Sequence, residues 1–245
     1  VKSMKQFEFM ISKFCCVFDV EITNIFAKSE NENPISVSKC FVKENVSENN
    51  GRLVCAKKIC MTITEIDYRV FSQFYTWEQI RIGRMICYRK EYLPTEFINS
   101  ILHLYEMKTK LKGVKGKEVE YLNSKEMLNS CYGMCVTNPL RDEILYEGET
   151  WDVEHLTGEK QLEMLSKYND SKNRFLFYPW GIYVTAYARR NLFTGIAECG
   201  DDYIYSDTDS VKIMNGDDHK EYFKAYNNLA QQKLRAACKF HKIPF

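Results

Sequence analysis

The sequence predicts a mixed α+β protein, and three observations carry that prediction. Two β-prone runs, Tyr203 to Ser206 and Val211 to Met214, flank turn-forming Asp207-Thr208-Asp209-Ser210, the pattern of a hairpin with carboxylates at its tip. Residues 94–139, 180–197 and 220–240 place apolar side chains at helical spacing. Much of the chain before residue 93 alternates or runs apolar as strands do.

Residues 8–27 read as strand, because Phe14-Cys15-Cys16-Val17-Phe18 is a continuous apolar run that passes into alternation through Asp19-Val20-Glu21-Ile22. Residues 28–52 carry turn signals at both ends of a short β-prone piece: Ser29-Glu30-Asn31-Glu32-Asn33-Pro34 and Glu48-Asn49-Asn50-Gly51. Alternation resumes from Cys60 to Tyr92, so strand is expected there as well. Pro94 then opens a helix with Phe97, Ile101, Leu104 and Tyr105 on one stripe, which runs into Lys108, Lys110, Lys112, Lys115 and Lys117. Gly113 and Gly116 break it, so these lysines crowd a solvated tip between two helices. In the second helix Lys125, Asn129 and Tyr132 fall at i, i+4 and i+7 on one face, while Leu128, Cys131 and Cys135 line another. One face therefore offers a cation, an amide and a ring, a combination suited to a nucleoside triphosphate. Residues 140–179 are polar turn material around Trp151 and Leu156 to Leu165. Trp180 to Ala197 and Lys220 to Phe240 close the chain as helices.

Bulk properties narrow the classes. The chain has 245 residues with 45% hydrophobic residues, enough for a core. Its net charge of +1 supplies no global attraction for nucleic acid, so any such contact rests on local patches. No run of 18 apolar residues is present, and no membrane span or membrane partner is expected. The ten cysteines are scattered, without Cys-x-x-Cys pairs or histidines at zinc spacing, and read as reduced thiols of an intracellular protein. Val1-Lys2-Ser3-Met4 lacks an initiator Met and a signal segment, the look of the interior of a longer protein.

Asp207 and Asp209 form a hard-oxygen pair that suits Mg²⁺ or Mn²⁺, since Mg²⁺ takes one or two carboxylates together with substrate phosphates. By itself Asp-x-Asp also fits an ordinary polar turn. Together, Lys125-xxx-Asn129-Ser130-x-Tyr132-Gly133 followed by Tyr205-x-Asp207-Thr208-Asp209-Ser210 resembles motifs B and C of family B DNA polymerases, in the right order. Val136-Thr137-Asn138-Pro139 and the run from Trp180 to Arg189, with its Thr-x-x-Gly/Ala-Arg element at Thr185 to Arg189, are similar to the protein-primed branch found in phages, viruses and linear plasmids. The resemblance is clearest over residues 94–214.

The resemblance implies a polymerase palm, an antiparallel sheet with the motif-C hairpin, plus two-helix fingers and β-rich insertions. Residues 1–93 would be palm-proximal strands and a region contacting a priming protein, the latter at Ile63 to Tyr75 and the strand that follows; 94–139 fingers; 140–179 an insertion that encircles template for strand displacement; 180–245 palm with the last helix. It implies catalytic, metal-holding Asp207 and Asp209; nucleotide-binding Lys108, Lys125, Asn129 and Tyr132; and DNA-binding Thr185 and Arg189. Lys110 and Lys112 stay open as alternatives to Lys108, whose spacing to Lys125 is longer than the family pattern. Implied partners are template and primer DNA, deoxynucleoside triphosphates and a terminal priming protein, inside a host cell.

The family's first catalytic aspartate lies in an Asp-x-x-Ser-Leu-Tyr-Pro pattern that is absent from this chain. Asp19 and Glu21, which share a strand face, do not supply it and read as solvated. The 245 residues alone are therefore expected to be inactive. Two other classes share part of the pattern. A nucleotide-sugar transferase would use the Asp-x-Asp turn but give the Lys125 helix no task, and a non-catalytic nucleic-acid-binding remnant would keep the fold without the chemistry.

Overall fold

The computed structural model describes residues 3–29, 32–172 and 177–245; the predicted turn positions Glu30, Asn31 and Asn173 lie outside them. Two compact units appear: residues 1–95 with 185–245, and residues 96–184.

The first unit is built on an antiparallel sheet ordered β2-β4-β1-β5, with β3 also pairing β4. Its members are β1 (Cys15–Ala27), β2 (Val42–Glu44), β3 (Ser47–Asn49), β4 (Arg52–Thr64) and β5 (Tyr75–Tyr88). Alternation in β1 sends Cys16, Phe18, Val20 and Ile22 to the buried face. Asp19 and Glu21 point the other way, where Thr62 donates to Asp19 and Lys58 lies 2.7 Å from Glu21, with Arg84 and Arg81 farther out. Their charges are thus met on the sheet's polar face, as the solvated reading expects. Between Phe18 and Val20 the pairing with β5 slips, and there a Cβ on Gly83 would come 3.2 Å from Asp19 Cβ. Asn50 and Gly51, both at positive φ, make the two-residue turn from β3 to β4 that the Asn-Gly pair signals.

Two helices correct the strand expectation. Residues 8–13 belong not to a strand but to α1 (Met4–Lys13), capped by Ser3 Oγ, which accepts from the Gln6 amide. Its Phe7 and Ile11 bury against the sheet, and Phe7 meets Phe18 and Tyr68 edge-on at 5.1 Å. Burying a side chain of this size is worth about 1.5–3 kcal/mol, enough to override weak local preference. The alternation from Cys60 to Tyr92 is likewise interrupted by α2 (Glu65–Phe74). Thr64 begins it with a capping box: its hydroxyl accepts from Asp67 N–H while the Asp67 carboxylate accepts from Thr64 N–H. The Thr-x-x-Asp spacing was the available signal for this helix.

The unit is completed by the C-terminal part of α6 (Tyr178–Cys199), the hairpin of β8 (Tyr203–Asp207) and β9 (Ser210–Ile213), and α7 (Lys220–His241). Phe193 and Ile196 of α6 enter the core beneath the sheet, Phe193 edge-on to Phe74 at 5.5 Å. At the end of α7, Phe240 stacks on Tyr92 at 4.4 Å, and His241 Nδ1 shares a hydrogen bond with Thr95.

The second unit holds α3 (Thr95–Leu111) and α4 (Glu118–Val136), joined through Gly113 and Gly116 at positive φ as the glycine spacing predicts. It also holds the hairpin of β6 (Glu143–Glu147) and β7 (Thr150–Glu154), α5 (Gly158–Asp170) and the start of α6. Cys135 is buried, and a Cβ on Gly181 would fall 2.1 Å from Val136 Cγ1, so α4 and α6 meet closely enough to require glycine. Trp180 packs on Phe97 at 5.2 Å beside this point. No helix among the described residues is long and apolar enough to cross a membrane.

Candidate active site

The hairpin predicted from Tyr203 to Met214 forms with Asp207 paired to Ser210 and Thr208-Asp209 as its turn. Thr208 sits at φ +54, a region that costs a β-branched residue roughly 1–2 kcal/mol. Such outliers persist where the surroundings over-determine them, and here several contacts do so. The Ser210 hydroxyl donates to Asp207 C=O, and Thr208 Oγ1 donates to Asp207 Oδ1 at 3.0 Å. Tyr203 and Val211 pack on the core of the unit, fixing the two strands from below.

The base of the hairpin is clamped by a residue that sequence reasoning did not single out. Asp202, just before β8, accepts from His219 Nε2 and Asn215 Nδ2, each at 2.8 Å, and its carbonyl accepts from Met214 N–H. Strand entry, strand exit and the start of α7 are thereby tied to one carboxylate. The hydrogen bond from His219, then that from Asn215, holds the Asp202 carboxyl below the usual carboxylate range. Only proximity across 13 and 17 positions reveals this clamp.

Asp207 and Asp209 are both exposed, and among the described residues Asp209 has no hydrogen-bonding or charged partner. Two exposed carboxylates at the hairpin tip, Asp209 unpartnered and Asp207 accepting from Thr208, are hard donors, and the set fits a divalent cation that completes its shell with water and phosphate. No group of three or more His, Cys, Asp or Glu residues able to hold a metal occurs among the described residues, so the hairpin offers part of a coordination shell and no cage.

In the second unit, Lys125 and Asn129 are exposed, Tyr132 is 39% exposed, and none of the three has a side-chain partner among the described residues. Leu128 and Cys131 are half-buried and Cys135 is buried, the two-faced arrangement that the spacing predicts. The lysine tip sorts itself by pairing. Lys110 is held by Glu106 at 2.5 Å and Lys117 by Glu120 at 2.7 Å, whereas the Lys108 ammonium lies 5.6 Å over the Tyr105 ring, without a counter-ion among the described residues. Of the three candidates at the end of α3, Lys110 is therefore the one already neutralised.

Thr185 and Arg189 lie one turn apart on α6, both half-buried. Arg189 forks onto Asp67, Nε to Oδ1 at 2.9 Å and Nη2 to Oδ2 at 3.1 Å. With Asp67 only 4% exposed, this is no loose surface pair: it joins the capping box of α2 to α6 inside one unit. Sequence position alone could not have paired residues 122 apart.

Residues 140–179 contain the β6–β7 hairpin, where Tyr146 and Trp151 face each other at 4.9 Å and Trp151 is 74% exposed. Its base is closed by Asp142, which bonds His155 Nδ1 and accepts from Leu156 N–H.

No protein-family model matches the chain. It is 27% identical over 160 residues to the DNA polymerase of Bacillus phage B103, a match covering 64% of this chain and 25% of that one. Among solved structures, the orthorhombic crystal form of Phi29 DNA polymerase matches with a TM-score of 0.56 at 17% identity, over 80% of this chain and 31% of that one. Phi29 DNA polymerase in ternary complex with primer-template DNA and incoming nucleotides matches with a TM-score of 0.57, at the same identity and coverage. The chain spans about a quarter to a third of the length of these relatives. It has the fold of part of Phi29 DNA polymerase and shares sequence with a second phage DNA polymerase.

Proposed function

We propose that the chain is part of a DNA-directed DNA polymerase that adds deoxynucleotides to a primer on a DNA template inside a host cell. The observation that carries this reading is the likeness to a phage DNA polymerase over 160 residues, together with an Asp-x-Asp hairpin whose carboxylates are exposed. Asp207 and Asp209 would hold Mg²⁺ or Mn²⁺. The bound ions would lower the barrier by stabilising the attacking hydroxyl oxygen and the departing pyrophosphate oxygen in an in-line displacement. Asp209 would be the principal ligand, with Asp207 supporting it from the same turn. Lys125, with Lys108, neutralises the β- and γ-phosphates; these contacts accelerate the reaction to the extent that they strengthen as charge moves onto pyrophosphate.

Tyr132 lies beside the nascent base pair and Asn129 orients the sugar. Thr185 and the guanidinium face of Arg189 not taken by Asp67 contact the DNA backbone. We further assign residues 1–93 to palm-proximal strands and contact with a terminal priming protein, 94–139 to fingers, 140–179 to a strand-displacing insertion and 180–245 to palm.

Because no Asp-x-x-Ser-Leu-Tyr-Pro pattern occurs here, the further carboxylate that the ions would need is not supplied by these 245 residues, and they extend no primer alone. The test compares the 245-residue chain with a longer polypeptide carrying the upstream pattern, each given primed template, deoxynucleotides and Mg²⁺ or Mn²⁺. Extension by the longer polypeptide only, abolished by Asp209→Asn, is expected. Extension by the short chain overturns its assigned inactivity. Preference of either polypeptide for a sugar nucleotide over a deoxynucleoside triphosphate overturns the polymerase reading.

A further inference from the structure

Cys16 and Cys87 are register partners on β1 and β5, 71 positions apart in sequence, with sulfurs 3.7 Å from each other. In an antiparallel strand the N–H and C=O of one residue point to the same neighbour. The Cys16 N–H bonds Glu65 Oε2 at 2.9 Å, on the β4 side of the central strand, since Glu65 directly follows Thr64, the β4 partner of Val17. Toward β5, Cys16 and Cys87 therefore form a non-hydrogen-bonded pair, the class whose Cα atoms approach to about 4.5 Å. That spacing lies within the range a disulfide spans without backbone movement, and the side chains of such a pair share a face.

The two thiols differ in access. Cys16 is wholly buried, whereas Cys87, at the end of the edge strand, is exposed. A reagent in solution reaches one and not the other.

We propose that Cys16 and Cys87 are a covalent modification site: a small-molecule disulfide of the glutathione type is captured at Cys87 and resolved by Cys16 into a cross-strand disulfide. In the first step the Cys87 thiolate attacks one sulfur of the oxidised reagent, forming a mixed disulfide and expelling one thiolate. In the second the Cys16 thiolate attacks the Cys87 sulfur and expels the other half of the reagent. Two protein thiols lose two protons and two electrons, and the reagent leaves as two thiols. Burial, then the contact with Cys87, pushes the Cys16 thiol up to about 12, so the second step is the slow one and quickens about tenfold per pH unit in mildly alkaline solution. The closed bridge would pin the end of β5 to the centre of the sheet, just before the residues that lead to α3.

The experiment treats the 245-residue chain with excess oxidised glutathione and maps the product by peptide mass spectrometry, beside Cys87→Ser and Cys16→Ala. The expected product has lost two of its ten thiols, carries no glutathione, links Cys16 to Cys87 and melts at least about 5 °C higher. Cys16→Ala should stop at the mixed disulfide on Cys87, and Cys87→Ser should leave Cys16 reduced. A mixed disulfide that persists on the unsubstituted chain, a link through Cys15, or no loss of thiols overturns the proposal. None of these readouts depends on polymerase activity.

Discussion

The unit carrying the Asp-x-Asp hairpin buries Phe7, Phe18, Ile25, Phe193 and many more side chains under one sheet, whereas in residues 96–184 Cys135 is the buried apolar side chain among those described. In the second unit Tyr105, Val119, Leu122, Met127 and Trp151 are exposed. The charges differ in the same way. In the first unit Asp19, Glu21, Asp67 and Asp202 all have cationic or hydrogen-bonding partners, and the exposed groups at the hairpin tip, without a cationic partner among the described residues, are carboxylates. Along α3 and α4 the bare groups of interest are the ammoniums of Lys108 and Lys125. A packed support holds acids still; a thinly packed pair of helices presents cations. Under the proposed function the division would matter, because metal geometry tolerates little displacement while neutralisation of phosphate acts at longer range.

Cutting the support should have the largest effect. Asp67→Ala leaves Arg189, Thr64 N–H and the start of α2 without their acceptor and should lower the stability of the first unit by about 2–3 kcal/mol, less than for a fully buried pair because Arg189 is 39% exposed. Urea unfolding measures it, and a change under about 0.5 kcal/mol would show that the fork contributes little. The second unit has its own weak point. Gly181→Ala forces a Cβ against Val136 and should cost roughly 1–3 kcal/mol, read as faster amide exchange in α4 while β1 and β4 keep their protection. Equal loosening of both units would break the distinction drawn between them.

A smaller effect separates bare from paired cations. Lys125→Ala should weaken binding of a deoxynucleoside triphosphate about tenfold, roughly 1.4 kcal/mol, while Lys117→Ala, whose ammonium is already held by Glu120, should change it little. Calorimetric titration checks both. The smallest effect concerns the hairpin clamp. Because the Asp202 carboxyl is held below its ordinary range, its contribution to stability is present above about pH 4 and is lost as pH falls through the lowered value. Asp202→Asn should therefore flatten the acid side of the stability profile, measured by unfolding midpoints from about pH 6 down to about pH 3. An unchanged acid limb would mean that the clamp does not hold the hairpin base.

What could be read from the letters is what depends on neighbours in the chain. The helices after Pro94, from Trp180 and from Lys220, the break at Gly113 and Gly116, the Asn-Gly turn and the two faces of α4 all follow from periodicity and backbone freedom within a few residues. So does the hairpin that puts Asp207 and Asp209 in water. Residues 8–13 and 65–74 form helix where the pattern predicts strand, because short apolar stretches fit either period, and the burial of Phe7, Ile11, Val70 and Phe71 against the sheet decides between them. Local pattern could not reveal the fork from Arg189 to Asp67, the clamp at Asp202 or the meeting of Cys16 with Cys87. Each joins atoms separated by 13 to 122 positions, and only the folding of the sheet and its covering helices brings such groups within reach of one another.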